Sequence, residues 1–407
     1  MPEKILMHND SELLTYNKLI DFINSADSYR PVLKTPCIFD FILNFILALS
    51  AGKNIALLDS DLSEAEILSL GESDTEKKSP LPSRKKLSCI EELIDLLSKS
   101  QSQITVYTSG TTGLPKKVCH SLAGLARYVR KSPDYAMHIW GFSYNPTHMA
   151  GLQVLLQIIF NQNTSVNLFM KAKNFVYVSI EKYSITHISA TPTFYRLLLP
   201  QEKTYPSIKR ITLGGEKSDS KLYENLLKVF PNAKINNIYA STEGGSLLAS
   251  SGEFFKIPES MSDKIRICDD ELLIHKELLG GSESLVLEGD FYKTGDMIQW
   301  VDEEKKLFKF LSRKSNLVNV GGYKVNIEEI EDYIRQLTQV TDVVVYGRKN
   351  SILGNILCAD IKLNTPDSLS IADVRNFLSE HLQQFKIPRK IEFTDSITST
   401  RSGKIKR

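Results

Sequence analysis

The most apolar run of the chain, residues 37–50, predicts a buried helix. It is too short to span a bilayer, and it contains Asp40 and Asn44. Ala51 and Gly52 follow it, and glycine suits the end of a helix. The apolar run 54–59 then predicts a buried strand. A helix, a glycine and an apolar strand in this order make half of a right-handed α/β crossover.

Strand and helix patterns continue to alternate as far as about residue 230. Thr191 and Pro192 open one helix, because a hydroxyl suits the N-cap and proline suits the first helical position. Strands that are followed by helices and end in glycine loops indicate a largely parallel sheet, which binds ligands at its carboxyl edge. Further strands are predicted at 103–106, 166–170, 187–190 and 208–213, and further helices at 91–97 and 122–131.

The last part of the chain has a different, α+β pattern, and 407 residues exceed one typical domain. The predicted fold class is α/β, with a large N-terminal domain of mostly parallel sheets flanked by helices (1–311) and a small α+β domain (312–407). In the small domain, helices are predicted at 328–336 and 371–385, and strands at 343–346 and 356–363.

The composition excludes several classes of protein. Lys and Arg number 50 against 48 Asp and Glu, so the net charge of +2 gives no global argument for binding nucleic acid. Five cysteines lie far apart without a CxxC pair, which supports neither a zinc site nor a disulfide framework. Residues 1–9 lack the apolar centre of a signal peptide. We therefore expect a cytoplasmic protein without a membrane span.

Residues 107–118 (Tyr-Thr-Ser-Gly-Thr-Thr-Gly-Leu-Pro-Lys-Lys-Val) carry the first indication of chemistry. A Gly/Ser/Thr loop after a strand can point several backbone N–H groups at phosphate oxygens, and Lys116 adds a positive charge. The loop lacks the Gly-Lys-Ser/Thr ending of a Walker P-loop. Taken alone, it could equally be a polar linker.

Four further motifs follow in the chain, at 239–243 (Tyr-Ala-Ser-Thr-Glu), 292–296 (Tyr-Lys-Thr-Gly-Asp), 313–331 and 401–404 (Arg-Ser-Gly-Lys). Together with the loop, these motifs resemble those of the acyl-adenylate-forming ligases, in the order in which that family has them. The family includes acyl- and aryl-CoA synthetases, adenylation domains of peptide synthetases, and luciferases. The resemblance extends from about residue 39 to residue 407, after an N-terminal portion that is shorter than in the family.

The resemblance implies a nucleotide site that follows the family's motifs. In the 239–243 motif, Tyr239 can stack on adenine, Thr242 can donate to the α-phosphate, and Glu243 can bind Mg²⁺. Asp296 matches the residue that accepts the ribose hydroxyls. The alternatives are an ordinary strand and turn at 239–243, and a plain turn at Asp296. The ATP-binding residues implied are Thr108, Ser109, Gly110, Thr111, Thr112, Gly113, Lys116, Gly214, Gly215, Glu216, Tyr239, Ala240, Ser241, Thr242, Asp296, Arg313 and Lys404.

Three residues are the predicted catalytic groups: Lys404, Thr242 and His148. Lys404 matches the lysine that spans the substrate carboxylate and the α-phosphate, although a basic tail is ordinarily a frayed terminus. His148 lies in a Pro-x-x-His-x-x-Gly segment that lines the carboxylate pocket in the family. The alternative for His148 is a helix cap.

The resemblance also implies a mobile C-terminal lid. Ser315 occupies the hinge position, and Gly321 and Gly322 match the loop that forms a channel for the pantetheine thiol. The sequence departs from the family's pattern at Ser312, Asn319 and Lys117, where the family usually has Gly, Lys and Gly respectively.

The activity implied is an acid–thiol ligase that uses ATP, Mg²⁺ and CoA. A carboxylate attacks the α-phosphorus, and cationic groups and N–H donors offset the charge repulsion, so that no general base is needed. Two alternatives stay open: an acyl-AMP ligase that loads an acyl carrier protein, and a non-catalytic nucleotide-binding relative. The pocket segment 146–153 has no carboxylate to pair with an ammonium group. We therefore expect a small carboxylic acid with an uncharged aliphatic or aryl tail.

Overall fold

The computed structural model of the chain describes residues 3–72, 74–108, 116–282, 285–320, 323–350, 354–366 and 368–397. The chain forms two compact units. The first comprises Met1–Gly252 and His275–Asp290, and the second comprises Glu253–Ile274 and Phe291–Arg407. The domain boundary predicted after residue 311 marks where a mobile lid begins. The two compact units are defined by their internal contacts, which do not test where a lid would move. The boundary therefore stays a prediction.

The helices are α1 (Tyr16–Ser25), α2 (Ile38–Ser50), α3 (Glu64–Ser69), α4 (Ile90–Lys99), α5 (Leu122–Leu125), α6 (Met149–Phe160), α7 (Lys173–Tyr183), α8 (Pro192–Leu198), α9 (Ser220–Val229), α10 (Ile327–Ile334) and α11 (Ile371–His381). The strands are β1 (Ile5–Asn9), β2 (Glu12–Thr15), β3 (Ser28–Tyr29), β4 (Val32–Lys34), β5 (Ile55–Leu58), β6 (Ser79–Pro80), β7 (Gln103–Thr108), β8 (Lys116–Ser121), β9 (Ile139–Phe142), β10 (Thr164–Asn167), β11 (His187–Ala190), β12 (Arg210–Gly214), β13 (Lys234–Ser241), β14 (Gly245–Ser250), β15 (Phe254–Lys256), β16 (Ile265–Cys268), β17 (Glu271–His275), β18 (Leu287–Glu288), β19 (Phe291–Asp302), β20 (Leu307–Arg313), β21 (Leu317–Val320), β22 (Tyr323–Asn326), β23 (Val340–Asn350), β24 (Gly354–Leu363) and β25 (Lys390–Phe393).

An eight-stranded sheet dominates the first unit, in the order β14-β13-β12-β11-β9-β10-β1-β2. The six inner strands, from β13 to β1, pair in parallel, and the two edge strands pair antiparallel to their neighbours. Helices connect successive parallel strands, so the carboxyl ends of β9, β11, β12 and β13 lie at one edge. The α/β prediction is confirmed.

A four-stranded sheet in the same unit has the order β4-β5-β7-β8. The helix α2 precedes β5, and most of its side chains are buried, as the apolar run predicts. The strands β7 and β8 form an antiparallel hairpin in which Tyr107 pairs with Lys117. This hairpin is the stem of the predicted phosphate loop. Residues 109–115 of that loop lie outside the described residues.

One predicted helix boundary agrees with the structure and another does not. The cap at Thr191 is confirmed, because its hydroxyl accepts the N–H of Phe194 at 3.1 Å, with Pro192 in the first turn of α8. The helix predicted at 122–131 is only the short α5. Gln157 of α6 and Asn161, which directly follows α6, explain the difference, because their side chains hydrogen-bond the backbone of Arg130 and keep it out of a helix.

The second unit contains a sheet path with the order β15-β20-β19-β17-β16. A separate three-stranded sheet, β23-β24-β25, packs with α10 and α11 around its own apolar core, as the α+β pattern predicts. The helix predicted at 371–385 ends earlier, at His381. Asp296, for which a plain turn was the alternative, lies with residues 292–295 within the long strand β19, where Gly295 has φ +74.

None of the helices in the described ranges has both the length and the apolar character that crossing a bilayer requires. The most apolar helix, α2, is instead part of the core of the first unit. The predicted compartment stays a prediction.

A pair of stacked histidines lies at the amino edge of the eight-stranded sheet. His138 precedes β9 and His187 begins β11, and their ring centroids are 3.8 Å apart. The side chain of His187 is only 6% exposed. Burial, helped by the positive charges of His138, Arg210 and Lys209, lowers the pKa of His187 to about 3. His187 is therefore neutral in the folded protein at physiological pH.

We expect the free energy of unfolding to fall as the pH falls from about 6.5 towards about 3. In this window the unfolded chain binds a proton at His187 that the folded protein does not bind, so acid favours unfolding. The slope from this one group approaches about 1.4 kcal/mol per pH unit. Urea unfolding at a series of pH values measures it. His187→Gln should remove this part of the slope, whereas a His381→Gln control on exposed α11 should keep it.

Candidate functional site

The carboxyl edge of the parallel sheet brings several predicted residues together. In register, Gly214 of β12 lies beside Ile238 of β13, and Leu213 lies beside Ala190 of β11. The segments that leave these strands are therefore neighbours. They include Gly214, Gly215 and Glu216 after β12, and Thr242 and Glu243 after β13. The two segments predicted to contact the nucleotide in the first unit thus follow neighbouring strands at the carboxyl edge of the sheet.

Glu216 is held at this edge by the start of α8. Its Oε2 accepts hydrogen bonds from the backbone N–H of Thr193 at 3.0 Å and from the Thr193 hydroxyl at 2.7 Å. Tyr144 is also part of this edge. A Cβ built on Gly214 would lie 3.3 Å from the Tyr144 hydroxyl oxygen, which shows how closely the two approach. Burial raises the pKa of Tyr144 above its usual range, so its hydroxyl stays protonated.

The turn formed by Thr242, Glu243 and Gly244 joins β13 to β14. The N–H of Gly244 donates to the Ser241 hydroxyl at 3.0 Å, and the carbonyl of Glu243 accepts from the N–H of Gly280 at 2.7 Å. The backbone of the turn is therefore tied at both ends. Neither the Thr242 hydroxyl nor the Glu243 carboxylate hydrogen-bonds another side chain in the described part of the chain.

The surroundings of Glu243 fit Mg²⁺ bound together with a nucleotide. Within the described ranges, no group of three or more His, Cys, Asp or Glu side chains could form an all-protein metal site. Mg²⁺ is commonly held by one or two carboxylates together with substrate phosphates. A single carboxylate on a fixed turn at the carboxyl edge of the sheet matches that pattern.

His148 interacts with an aspartate that the sequence interpretation missed. Asp59 directly follows β5, and its Oδ2 lies 3.1 Å from Nε2 of His148. Its Oδ1 accepts from the Asn145 amide at 2.9 Å and from the Thr147 hydroxyl. Burial acts to raise the pKa of Asp59, but the hydrogen bonds from His148, Thr147 and Asn145 outweigh it and lower the pKa. The carboxylate therefore stays ionised at neutral pH.

The alternative role of His148 as a helix cap is correct for its backbone position, but its side chain does not cap the helix. His148 is the N-cap residue of α6, yet its side chain makes no capping hydrogen bond. The loop before α6 passes very close to the helix at Gly151. A Cβ at Gly151 would lie 2.1 Å from the carbonyl oxygen of Asn145, so glycine is required there. This close approach helps to place His148 beside Asp59.

The stem of the predicted phosphate loop carries an additional contact. The Tyr107 hydroxyl hydrogen-bonds Glu72, and Nζ of Lys117 lies 3.1 Å from Oε1 of the same carboxylate. Lys117, which departs from the family's glycine, is thus paired with Glu72. Of the predicted phosphate-binding residues, Thr108 and Lys116 have their backbones in β7 and β8, and Ser109, Gly110, Thr111, Thr112 and Gly113 lie outside the described residues.

A second group of predicted residues lies in the second unit. Asp296 is 6% exposed, and its Oδ1 accepts from Nε of Arg313 at 2.7 Å, because the two residues pair directly between β19 and β20. Glu271, which the sequence interpretation missed, is also buried. It accepts the N–H of Gly295 at 2.8 Å and pairs with Nζ of Lys314 at 2.6 Å. Glu271 thus supports the backbone next to Asp296.

The remaining predicted residues are only partly described. The backbone of Ser315 lies in a short 3₁₀ turn, Lys314–Asn316. Gly321, Gly322 and Lys404 lie outside the described residues. Their assigned roles as hinge, thiol channel and catalytic lysine therefore stay predictions.

Family profiles match most of the chain. The profile of the AMP-binding enzyme family matches residues 32–267, which is more than half of the sequence. The profile of the AMP-binding enzyme C-terminal domain matches residues 329–404. These matches cover both the parallel-sheet region and the α+β region.

Curated relatives are similar at low identity. A putative acyl–CoA ligase of Bacillus subtilis, YdaB, is 26% identical over 348 residues, covering 77% of this chain and 68% of that protein. Gramicidin S synthase 2 of Brevibacillus brevis is 24% identical over 346 residues, covering 74% of this chain and 8% of that protein. The chain thus spans about two thirds of the ligase and a small part of the synthase.

A solved structure shows the same fold. The o-succinylbenzoate CoA synthetase of Bacillus subtilis, in complex with its acyl-adenylate intermediate, has a TM-score of 0.73 at 19% identity. The match covers 100% of this chain and 94% of that chain. At this identity the likeness establishes the fold alone.

Proposed function

Because this chain belongs to the AMP-binding enzyme family, we propose that it activates a carboxylic acid with ATP and transfers the acyl group to CoA. In the first step a carboxylate oxygen bonds to the α-phosphorus, and the bond to the pyrophosphate oxygen breaks. In the second step the thiol sulfur bonds to the acyl carbon, AMP leaves, and the thiol proton is released to solvent.

The observation that carries this proposal is the arrangement of Thr242 and Glu243. Both lie on a turn whose backbone is fixed at the carboxyl edge of the sheet, after the strand that neighbours β12. In the proposed reaction the Thr242 hydroxyl would donate to an α-phosphate oxygen, and Glu243 would hold Mg²⁺. The metal would offset negative charge on the phosphate oxygens. Groups that are already in place do not need to reorganise during the reaction.

His148 and Asp59 support a carboxylate pocket next to that turn. The ionised Asp59 accepts a hydrogen bond from His148, which orients the imidazole ring. The ring lies at the start of α6, and α6 packs near β14. We propose that the substrate carboxyl group lies beside His148. Asp59 is committed to three side-chain partners, so it is not a counter-ion for a substrate ammonium group.

The acceptor of the acyl group is proposed to be CoA. The similarity to an acyl–CoA ligase favours CoA, whereas the similarity to a gramicidin S synthase favours a carrier protein. Both acceptors present a pantetheine thiol. Incubating the enzyme and its acid with CoA, or with a phosphopantetheinylated carrier protein, and measuring thioester formation separates these two functions.

A panel of carboxylic acids tests the central proposal. Pyrophosphate release is measured with ATP and Mg²⁺ for short- and medium-chain fatty acids, small aryl acids and α-amino acids. We expect an acid with an uncharged tail to be the best substrate. If an α-amino acid is turned over best, the proposed substrate class is wrong. If no acid releases pyrophosphate although ATP binds, the chain is a non-catalytic relative.

Glu243→Gln should raise the Mg²⁺ concentration needed for half-maximal activity by about tenfold or more. An amide oxygen is a weaker ligand for a hard cation than a carboxylate is. The measurement is a Mg²⁺ titration of pyrophosphate release at fixed ATP. Glu224→Gln, at an exposed position on α9, is the matched control and should not change the titration. An unchanged titration in Glu243→Gln would remove this residue from the metal site.

A further inference from the structure

His120 is a buried histidine that the proposed reaction does not use. It lies on β8, just after the predicted phosphate loop, and its side chain is 6% exposed. It pairs with Ile104 of β7, so it belongs to the same hairpin as the loop. A histidine in a buried strand needs a polar partner, because an unsatisfied buried ring nitrogen is costly.

The partner of His120 is the backbone of the Thr242 turn. Its Nε2 lies 2.7 Å from the carbonyl oxygen of Thr242. A carbonyl oxygen can only accept, so Nε2 carries the proton and donates. Burial is the main cause of a lowered pKa for His120, with a contribution from Arg127. His120 is therefore a neutral donor to Thr242 near physiological pH.

A glycine segment completes the contact between the hairpin and the turn. The N–H of Gly280 donates to the carbonyl of Glu243 at 2.7 Å, and Gly281 exchanges two backbone hydrogen bonds of 2.8 Å with Cys119. A Cβ on Gly280 would lie 2.5–2.8 Å from three atoms of the His120 ring. The ring therefore packs directly on the backbone that holds Glu243.

We propose that His120 is a positioning residue, which links the phosphate-loop hairpin to the turn that carries Thr242 and Glu243. The inference rests on the proposed function, in which these two side chains act on the α-phosphate and on Mg²⁺. By holding the Thr242 carbonyl, His120 sets the place of the turn relative to the loop stem. Neighbouring contacts from Gly244 and Gly280 hold the rest of the turn but not this carbonyl.

Two substitutions of His120 distinguish the effect of losing its hydrogen bond from the effect of losing the volume of its ring. His120→Leu fills the space without a donor, and His120→Gln supplies an amide N–H that can reach the same carbonyl. In His120→Leu we expect kcat for pyrophosphate release to fall by about tenfold to a hundredfold, the range for a buried carbonyl that loses its donor. The KM for the acid should stay within about twofold. His120→Gln should recover most of the loss.

Hydrogen–deuterium exchange provides a readout that does not depend on activity. In His120→Leu, the peptide that contains 241–246 should exchange about tenfold faster, and in His120→Gln it should exchange as in the wild type. His187→Leu changes a buried histidine at the amino edge of the eight-stranded sheet, which also contains part of this peptide, and is the matched control. It should destabilise the whole unit without a selective effect on this peptide.

The outcomes distinguish this inference from the proposed function. Faster exchange at 241–246 in a protein that activates no acid would support the positioning role and contradict the proposed reaction. Unchanged exchange and unchanged kcat in His120→Leu would overturn the positioning role while the proposed reaction stands. A loss in His120→Leu that His120→Gln does not restore would also overturn it, because the hydrogen bond would not be the cause.

Discussion

Lys404→Ala should reduce ATP-dependent adenylate formation by a factor of about 10²–10³. The reaction joins two anions, and removal of one positioned donor to a developing charge typically costs about 3–4 kcal/mol. ATP binding should stay nearly intact, because the other groups of the nucleotide site are unchanged. Pyrophosphate release measures the first step, and equilibrium titration with ATP measures binding.

A second measurement on Lys404→Ala isolates the step that the lysine serves. The variant should still form the thioester when the acyl-adenylate is supplied, since that step needs no attack on phosphorus. Lys406→Ala, two residues further along the same basic tail, is the matched control and should retain activity. Survival of ATP-dependent activity within about threefold would show that Lys404 is not the catalytic lysine.

Asp59→Asn is expected to lower kcat/KM for the acid by about tenfold to a hundredfold. The carboxylate accepts hydrogen bonds from His148, Thr147 and Asn145. An asparagine has one oxygen in place of two, and its NH₂ group would face a donor, so at least one buried partner loses its acceptor. His148 should then lose its fixed orientation. Initial rates over a range of acid concentrations measure the effect.

Controls for Asp59→Asn separate the pocket from the nucleotide site and from folding. The KM for ATP should change by less than about twofold, and Asp21→Asn, at an exposed position on α1, should behave as the wild type. The double variant with His148→Gln should lose little more than either single variant, because residues in one network are not additive. Additive losses would mean that Asp59 does not act through His148.

Much of the first unit follows from local patterns. The apolar run at 37–50 forms α2, and the next apolar run, at 54–59, forms β5. Continuous apolar stretches of this kind are predicted to be buried. The hydroxyl and proline at 191–192 begin α8 as predicted. The alternation of strands and helices predicted the parallel sheet that the structure contains. The ends of its strands carry the predicted residues of the 214–216 and 239–243 segments.

The contacts that hold the site in place were not predictable from those patterns. Asp59 and His148 are 89 positions apart, and His120 and Thr242 are 122 apart. Nothing local distinguishes such a partner from an ordinary surface or core residue. Only one available clue was missed: Asp59 directly follows a buried parallel strand, where side chains tend to face the ligand.

Local propensity also failed where tertiary contacts overrode it. The helix predicted at 122–131 stops early because the side chains of Gln157 and Asn161, at the end of α6, bind the backbone of Arg130. The plain turn considered as the alternative for Asp296 is absent, because β19 continues through Gly295 and Asp296 pairs with Arg313 of β20. In both cases a partner distant in sequence supplied hydrogen bonds that the local pattern could not indicate.

The position of β1 has a consequence for how the protein folds during synthesis. This strand pairs in parallel with β10, and the Ser165 hydroxyl donates to the carbonyl of Leu6 at 2.7 Å. On a ribosome, β1 can pair with β2 soon after both emerge, but the other edge of β1 stays open until β10 is made. Such non-local pairing slows folding and leaves a strand edge open to other chains. Coexpression with a chaperone should therefore improve the yield of folded protein. Deletion of β1 and β2 should cause aggregation, because it exposes the edge of β10.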